Sequence, residues 1–142
     1  MKTIDAIQEE IVSDFQEIGD GFDQYAYLIE LSVTLPPMAE DDKTDDHLVR
    51  GCQSHVWLNI QQEDGCLHFT ADSDTLILKG VLVLLQSLFN GQRLGDVAAA
   101  RVWFFDKTEI MATFDADRQK GIGYIIRTIT DFAAGAVAGE KS

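Results

Sequence analysis

The run "DSDTLILKGVLVLLQSLFNG", Asp72 to Gly91, constrains the fold more than any other part of the chain. Between Leu76 and Phe89 it is apolar on nearly every face of a helix, and such a helix has to be buried on all sides. Ser73 or Asp74 is available as its N-cap, and Asn90-Gly91 as its stop. Lys79 interrupts the most apolar window, "LILKGVLVLL", which is also shorter than the roughly 20 residues needed to cross a bilayer. The segment therefore reads as the central core helix of a soluble domain, and the other elements must cover it.

The covering elements can be read in order. "TIDAIQEEIVSDFQEIG" places Ile4, Ile7, Ile11, Phe15 and Ile18 at helical spacing, with Thr3 as N-cap and Gly19 as stop. A second helix is expected from about Asp23 to Leu35, with Tyr25, Ile29, Ser32 and Val33 on one side and Pro36-Pro37 ending it. "MAEDDKTDD" is too charged to pack and reads as a solvated loop. Beyond it the period becomes two. Val56, Leu58 and Ile60, then Leu67, Phe69 and Ala71, alternate with more polar neighbours across a turn at Glu63-Asp64-Gly65, which predicts a hairpin. A short helix or turn is expected from about Asp96 to Phe105. A last helix, from about Ala116 to Ala136, carries Ile122, Ile125, Ile126 and Ile129 as its buried stripe. Helix, helix, hairpin, helix, helix is an α+β order, not alternating βαβ.

At 142 residues the chain fits one domain, 1–142, large enough to build a core without disulfides or a structural metal. Its formal charge of −13 is uneven: residues 1–48 hold 13 acids against Lys2 and Lys43, and the remainder is nearly balanced. Such a field repels phosphate backbones, which argues against nucleic acid, and it steers a basic partner. "MKTIDAIQEE" carries acids where a signal peptide needs an apolar region, so no membrane and a cytoplasmic location are expected. Two cysteines are better read there as reduced thiols than as a disulfide framework.

Cys52, in "LVRGCQSHVWL" just ahead of the hairpin, is the first chemical candidate. Gly51 allows the thiol to sit at a loop tip, and Arg50 or His55 would lower its pKa if folded nearby. The alternative is a small buried hydrophobe, the commonest fate of a free cysteine. Cys66 follows fourteen positions later, better read as an inert strand-end thiol than as a disulfide partner of Cys52, a resolving thiol or a metal ligand. For a zinc site Cys52-x-x-His55 is the nearest match to ligand spacing, with His68 and Cys66 as further donors, and that is too few for a good site. No acyl-transfer signature surrounds Cys52, and His47 and His68 read as a loop and a strand residue. Arg118 and Lys120 open the last helix, where cations oppose the helix dipole; Asp115 and Asp117 balance them. Arg118 is thus badly placed for stability alone and is a candidate to face an anion, a partner or the thiol.

Four ordered blocks resemble the SufE/CsdE family of sulfur-acceptor proteins in iron–sulfur cluster assembly. "GCQSHVWL" is similar to the family's cysteine signature, "FDQYAYLIEL...LPPM" to its second helix and Leu-Pro exit, "ADSDTLILKGVL" to the start of its central helix, and "DRQKGI" to the Ser-Arg-x-x-Gly-Leu pattern of its last helix. The chain departs with Phe22 for tryptophan, Asp117 for serine and Ile122 for leucine, and Cys66 lies outside the signature. The resemblance implies an α+β fold like that of SufE and IscU-type scaffolds: a small antiparallel sheet, a hairpin plus a flanking strand, packed against helices. It implies that Cys52 carries a persulfide taken from a pyridoxal-phosphate cysteine desulfurase (SufS/CsdA-like), and that the sulfur passes to an iron–sulfur scaffold complex. The chain would then stimulate its partner and not act as a stand-alone enzyme. Pyridoxal phosphate is expected on the partner only, with no cofactor and no metal on this chain. Arg118 takes a supporting or docking role. The alternative function is a thiol-redox protein using Cys52 and Cys66.

Overall fold

The computed structural model describes residues 2–141, the last two by backbone alone. Five helices, α1 (Ile4–Ile18), α2 (Gly21–Leu31), α3 (Leu76–Phe89), α4 (Leu94–Ala98) and α5 (Ala116–Lys141), surround a hairpin of β1 (Val56–Glu63) and β2 (Cys66–Ser73). The two strands pair antiparallel in an unbroken register, from Val56 opposite Ser73 to Glu63 opposite Cys66. Asp64 (φ 54°) and Gly65 (φ 79°) make the turn. Positive φ at both central residues is the geometry that matches strand twist, and Asp-Gly is a pair that adopts it readily.

As its sequence demands, α3 occupies the centre. Val81, Leu82, Leu85, Leu88 and Phe89 are fully shielded, and α1, α2 and β2 pack around the helix. Each such side chain contributes roughly 1.5–3 kcal/mol relative to exposure. The α2–α3 approach is closest at Gly80, where a Cβ would lie 2.1 Å from the Leu28 carbonyl oxygen. Helix α1 is capped by Thr3 as expected, its Oγ1 accepting from the Ala6 N–H. In α5, Ile122, Ile125 and Ile129 are fully buried and Ile126 half-buried.

Several details differ from the sequence reading. Helix α2 begins earlier, capped by Asp20, and ends at Leu31, where a 3-10 turn (Ser32–Thr34) leads into the prolines. Val33 is consequently 85% exposed, and the face that α2 buries is led by Leu28 and Gln24. Gln24 is tolerated inside because its amide is fully used: it donates to the Phe15 and Gly19 carbonyls and accepts from the Glu109 N–H. Gln8 does the same from α1, donating to the Arg101 carbonyl and accepting from the Trp103 and Phe104 N–H groups. Neither Ser73 nor Asp74 caps α3; Thr75 holds that position without a side-chain cap, because the other two are engaged with His55. Helix α4 starts two residues earlier than expected and stops at Ala98, and Phe104–Lys107 forms a separate 3-10 turn. The flanking strand is reduced to single bridges, Leu48 to Trp57 and Cys66 to Arg93. The acidic run 40–47, expected as a solvated loop, folds into two 3-10 turns.

Candidate functional site

The site lies where the loop before β1 meets the first turns of α5. Gly51, at φ 93°, turns the chain in a conformation that side chains rarely adopt, and it lies flat on Tyr124: a Cβ there would come within 2.6 Å of the ring. Cys52 follows, half-buried, its thiol 3.4 Å from the Gly121 carbonyl oxygen, to which it donates. Gly121 leaves room for the sulfur, which would stand 3.2 Å from a Cβ at that position. Gln53 then reaches α5 through its amide, donating to Asp117 Oδ2 at 3.1 Å.

The next two residues are tied to the other wall, the chain between β2 and α3. Thr75 donates to Ser54 Oγ at 2.8 Å, and Ser73 Oγ donates to the His55 carbonyl at 2.9 Å. Asp74 takes the His55 N–H on one carboxylate oxygen and faces His55 Nδ1 at 3.0 Å with the other. The Asp74 N–H returns a bond to the His55 carbonyl, and the His55 ring stacks on Trp57. The loop is therefore anchored firmly at Ser54-His55 and held lightly at Cys52-Gln53.

A recess of about 50 Å³ opens beside the sulfur, lined by Cys52, Ser54, Leu78, Asp115, Asp117 and Arg118 among others. Arg118 lines the same recess as the Cys52 thiol. Its backbone N–H donates to Asp115 Oδ1 at 2.8 Å, and its guanidinium lies 5.9 Å from the centre of the Phe114 ring. Among the described residues it makes no ion pair within 4 Å. Burial pushes the Cys52 thiol pKa up, and no charge counteracts it. Arg50 and His55 do not perform the lowering considered for them: His55 is committed to Asp74 and Trp57, and Arg50 is exposed. In this arrangement the half-buried thiol is a hydrogen-bond donor to the Gly121 carbonyl.

Cys66 is elsewhere. It faces Glu63 at the turn end of the hairpin, whereas Cys52 precedes Val56 at the opposite end. An eight-residue strand covers about 23 Å between those ends, at roughly 3.3 Å per step. Both cysteines are free thiols. Among the described residues, no three His, Cys, Asp or Glu side chains gather as a metal site would require. His68 stands exposed on the hairpin, and His47 Nδ1 meets the Asp42 carbonyl within the acidic run. The contacts that the sequence did not disclose are Gly121, Tyr124 and Gln53 with Asp117. "KGIGY" contains two glycines one turn into a helix, and that disfavoured composition was the available signal.

The fold and site together define a small α+β protein that seats a half-buried thiol, Cys52, in a loop against its last helix. The family described as SufE: Fe-S metabolism associated domain matches residues 9–133, and the chain belongs to this family. It is 31% identical over 132 residues to an uncharacterized SufE-like protein of Rhizobium meliloti, covering 89% of this chain and 94% of the relative. It is 29% identical over 130 residues to an uncharacterized SufE-like protein of Rhizobium etli, covering 88% of each. The fold also matches the solution structure of a hypothetical protein from Thermus thermophilus. There the TM-score is 0.76, with 15% identity over 93% of this chain and 96% of the other, a likeness of fold alone.

Proposed function

We propose that this chain accepts sulfane sulfur from a cysteine desulfurase and carries it as a persulfide on Cys52 to an iron–sulfur scaffold. The observation that carries the reading is the unequal fastening of the Cys52 loop. Its thiol and Gln53 touch α5 through one weak S–H···O bond and one exposed side-chain bond, while Ser54-His55 stays fixed to the chain before α3. Membership of a family associated with iron–sulfur metabolism supports it.

In the transfer, the Cys52 thiolate attacks the terminal sulfur of the desulfurase persulfide. The S–S bond of that persulfide breaks, the desulfurase cysteine leaves as thiolate, and a Cys52 persulfide forms with no net oxidation. The partner holds the pyridoxal phosphate, and this chain works as its acceptor in the cytoplasm. No helix among the described residues is long and apolar enough to cross a membrane. Arg118, on the wall of the recess, is the cation available to a sulfur anion at Cys52. The competing redox reading needs a Cys52–Cys66 disulfide, whose Cα atoms must approach within about 7 Å. The separation of the two thiols along the hairpin favours the carrier.

The test is intact-protein mass after incubation with a cysteine desulfurase and free cysteine. One added sulfur on Cys52, removed by reductant, absent in Cys52→Ser and retained in Cys66→Ala, is the expected result. Acceptance by Cys52→Ser, or its loss in Cys66→Ala, would overturn the assignment.

A further inference from the structure

The two edges of the hairpin are treated very differently. On β2 the outward backbone groups of Leu67 and Phe69 are sealed. Leu67 donates to the Gln92 carbonyl and accepts from the Gly91 N–H, at 2.9 and 2.8 Å. Phe69 donates to Asn90 Oδ1 and accepts from the amides of Asn90 and Gln86. On β1 the outward side is identified by Val56, whose carbonyl accepts from the Val49 N–H at 2.9 Å, away from β2. Alternation puts the N–H and C=O groups of Leu58, Ile60 and Gln62 on that same side. Among the described residues no hydrogen bond from outside the hairpin reaches Ile60 or Gln62.

Proteins normally blunt such an edge with lysine, proline or a bulge. Here the sequence is Leu58-Asn-Ile-Gln-Gln62, with none of these, and the register is unbroken. We infer that the open edge of β1, from Ile60 to Gln62, is a docking site for an extended, basic segment of a partner protein, which pairs as an added strand. Main-chain hydrogen bonds would supply the affinity in this mode, and alternate side chains the selectivity.

The charge around the edge selects the occupant. The acidic run containing Glu40, Asp41, Asp42, Asp45 and Asp46 reaches the start of β1 through the Leu48–Trp57 bridge, and Glu63 and Asp64 stand at its end. A cavity of about 400 Å³ over the outer face of the hairpin, lined by Asp42, Asn59, Gln61, His68 and Thr70 and reaching Phe69 and Asn90 on the β2 side, gives room to side chains on that face. A second copy of this chain would bring the same acids against themselves, and at a net charge of −13 that repulsion opposes self-pairing. A strand alternating cationic and apolar residues is complementary to both features.

The test uses a synthetic peptide of about ten residues alternating lysine and valine, and a control in which proline replaces its central valines. Amide hydrogen exchange of the full chain is followed by NMR. The first peptide is expected to slow exchange at Ile60 and Gln62 by about tenfold or more, and the control to leave both unchanged. Ile60→Pro and Gln62→Pro each remove an outward donor while leaving the β2 ladder in place. Each should lose the peptide effect while Asn59 and Gln61 stay protected; Gln62, being exposed, serves if the Ile60 variant fails to fold. Equal protection by both peptides, or protection confined to the acidic helices, would overturn the inference. So would concentration-dependent protection of the edge without peptide, with a doubled mass in solution, since it would assign the edge to a second copy.

Discussion

Cys52 donates its proton to the Gly121 carbonyl, and that single bond makes the closed loop a property of the neutral thiol. A thiolate has no proton to give, and it would face a carbonyl oxygen with Asp115 and Asp117 on the wall of the same recess. Arg118 is the one cation lining that wall. Burial therefore holds the thiol pKa above its ordinary value. For a group with a raised folded pKa, the associated stability is complete below the unfolded value, about 8.5 for cysteine, and disappears as pH climbs through the folded value. Iodoacetamide labelling of Cys52 should accordingly lag behind that of a model thiol at pH 7 to 8 and catch up in more alkaline buffer. Labelling at the model rate throughout would mean that the loop is not closed in solution.

At the scale of elements, the pairing of α2 with α3 rests on the absence of a side chain at Gly80. A Cβ there would meet the Leu28 carbonyl oxygen at 2.1 Å and its carbon at 2.8 Å, and backbone cannot step aside as a side chain can. Gly80→Ala should cost about 3 kcal/mol in urea unfolding, as overpacking does, despite the better helix propensity of alanine. A neutral or stabilised variant would mean that the two helices are not in contact at that point. The elements themselves were largely legible beforehand. The near-continuous apolarity of α3 dictated its central place, and Asp64-Gly65 announced the hairpin turn. Gln8 and Gln24 were not legible, because each buried amide relies in part on a partner, 93 and 85 positions away, that no local pattern reveals. The site divides the same way. Cys52 and Arg118 stood out by residue type and placement, whereas the seat on Gly121 depends on a contact between residues 69 apart.

At the scale of the whole molecule, Lys43 ties the acidic run to the hairpin. It pairs with Glu40 in its own segment and with Asp72 on β2, where Lys79 also approaches. Desolvation pushes the Asp72 carboxyl up, but the Lys43 bond, the Ser73 N–H and the charge of Lys79 outweigh it. The net result lies below the usual aspartate range. The bond to Asp72, with that to Glu40, raises Lys43 in turn. A depressed carboxyl stabilises the fold above its unfolded pKa, about 3.9, and that contribution is lost as pH falls through the folded value. Thermal melts between about pH 5 and pH 2 should decline less steeply in Lys43→Met than in the unaltered chain. Parallel declines would show that this tie carries no pH-dependent stability.

The lopsided fastening of the Cys52 loop has one more consequence, and it concerns time. Releasing the thiol breaks the Cys52 and Gln53 hydrogen bonds to α5 and lifts Gly51 from Tyr124, while the bonds of the Ser54-His55 anchor are separate from all three. A movement of so few residues belongs to the nanosecond-to-microsecond range, not to the slower regime of domain rearrangement. Under the proposed carrier function, delivery of the sulfur atom would be paced by how often two proteins meet in the right orientation, and the loop itself would add no delay.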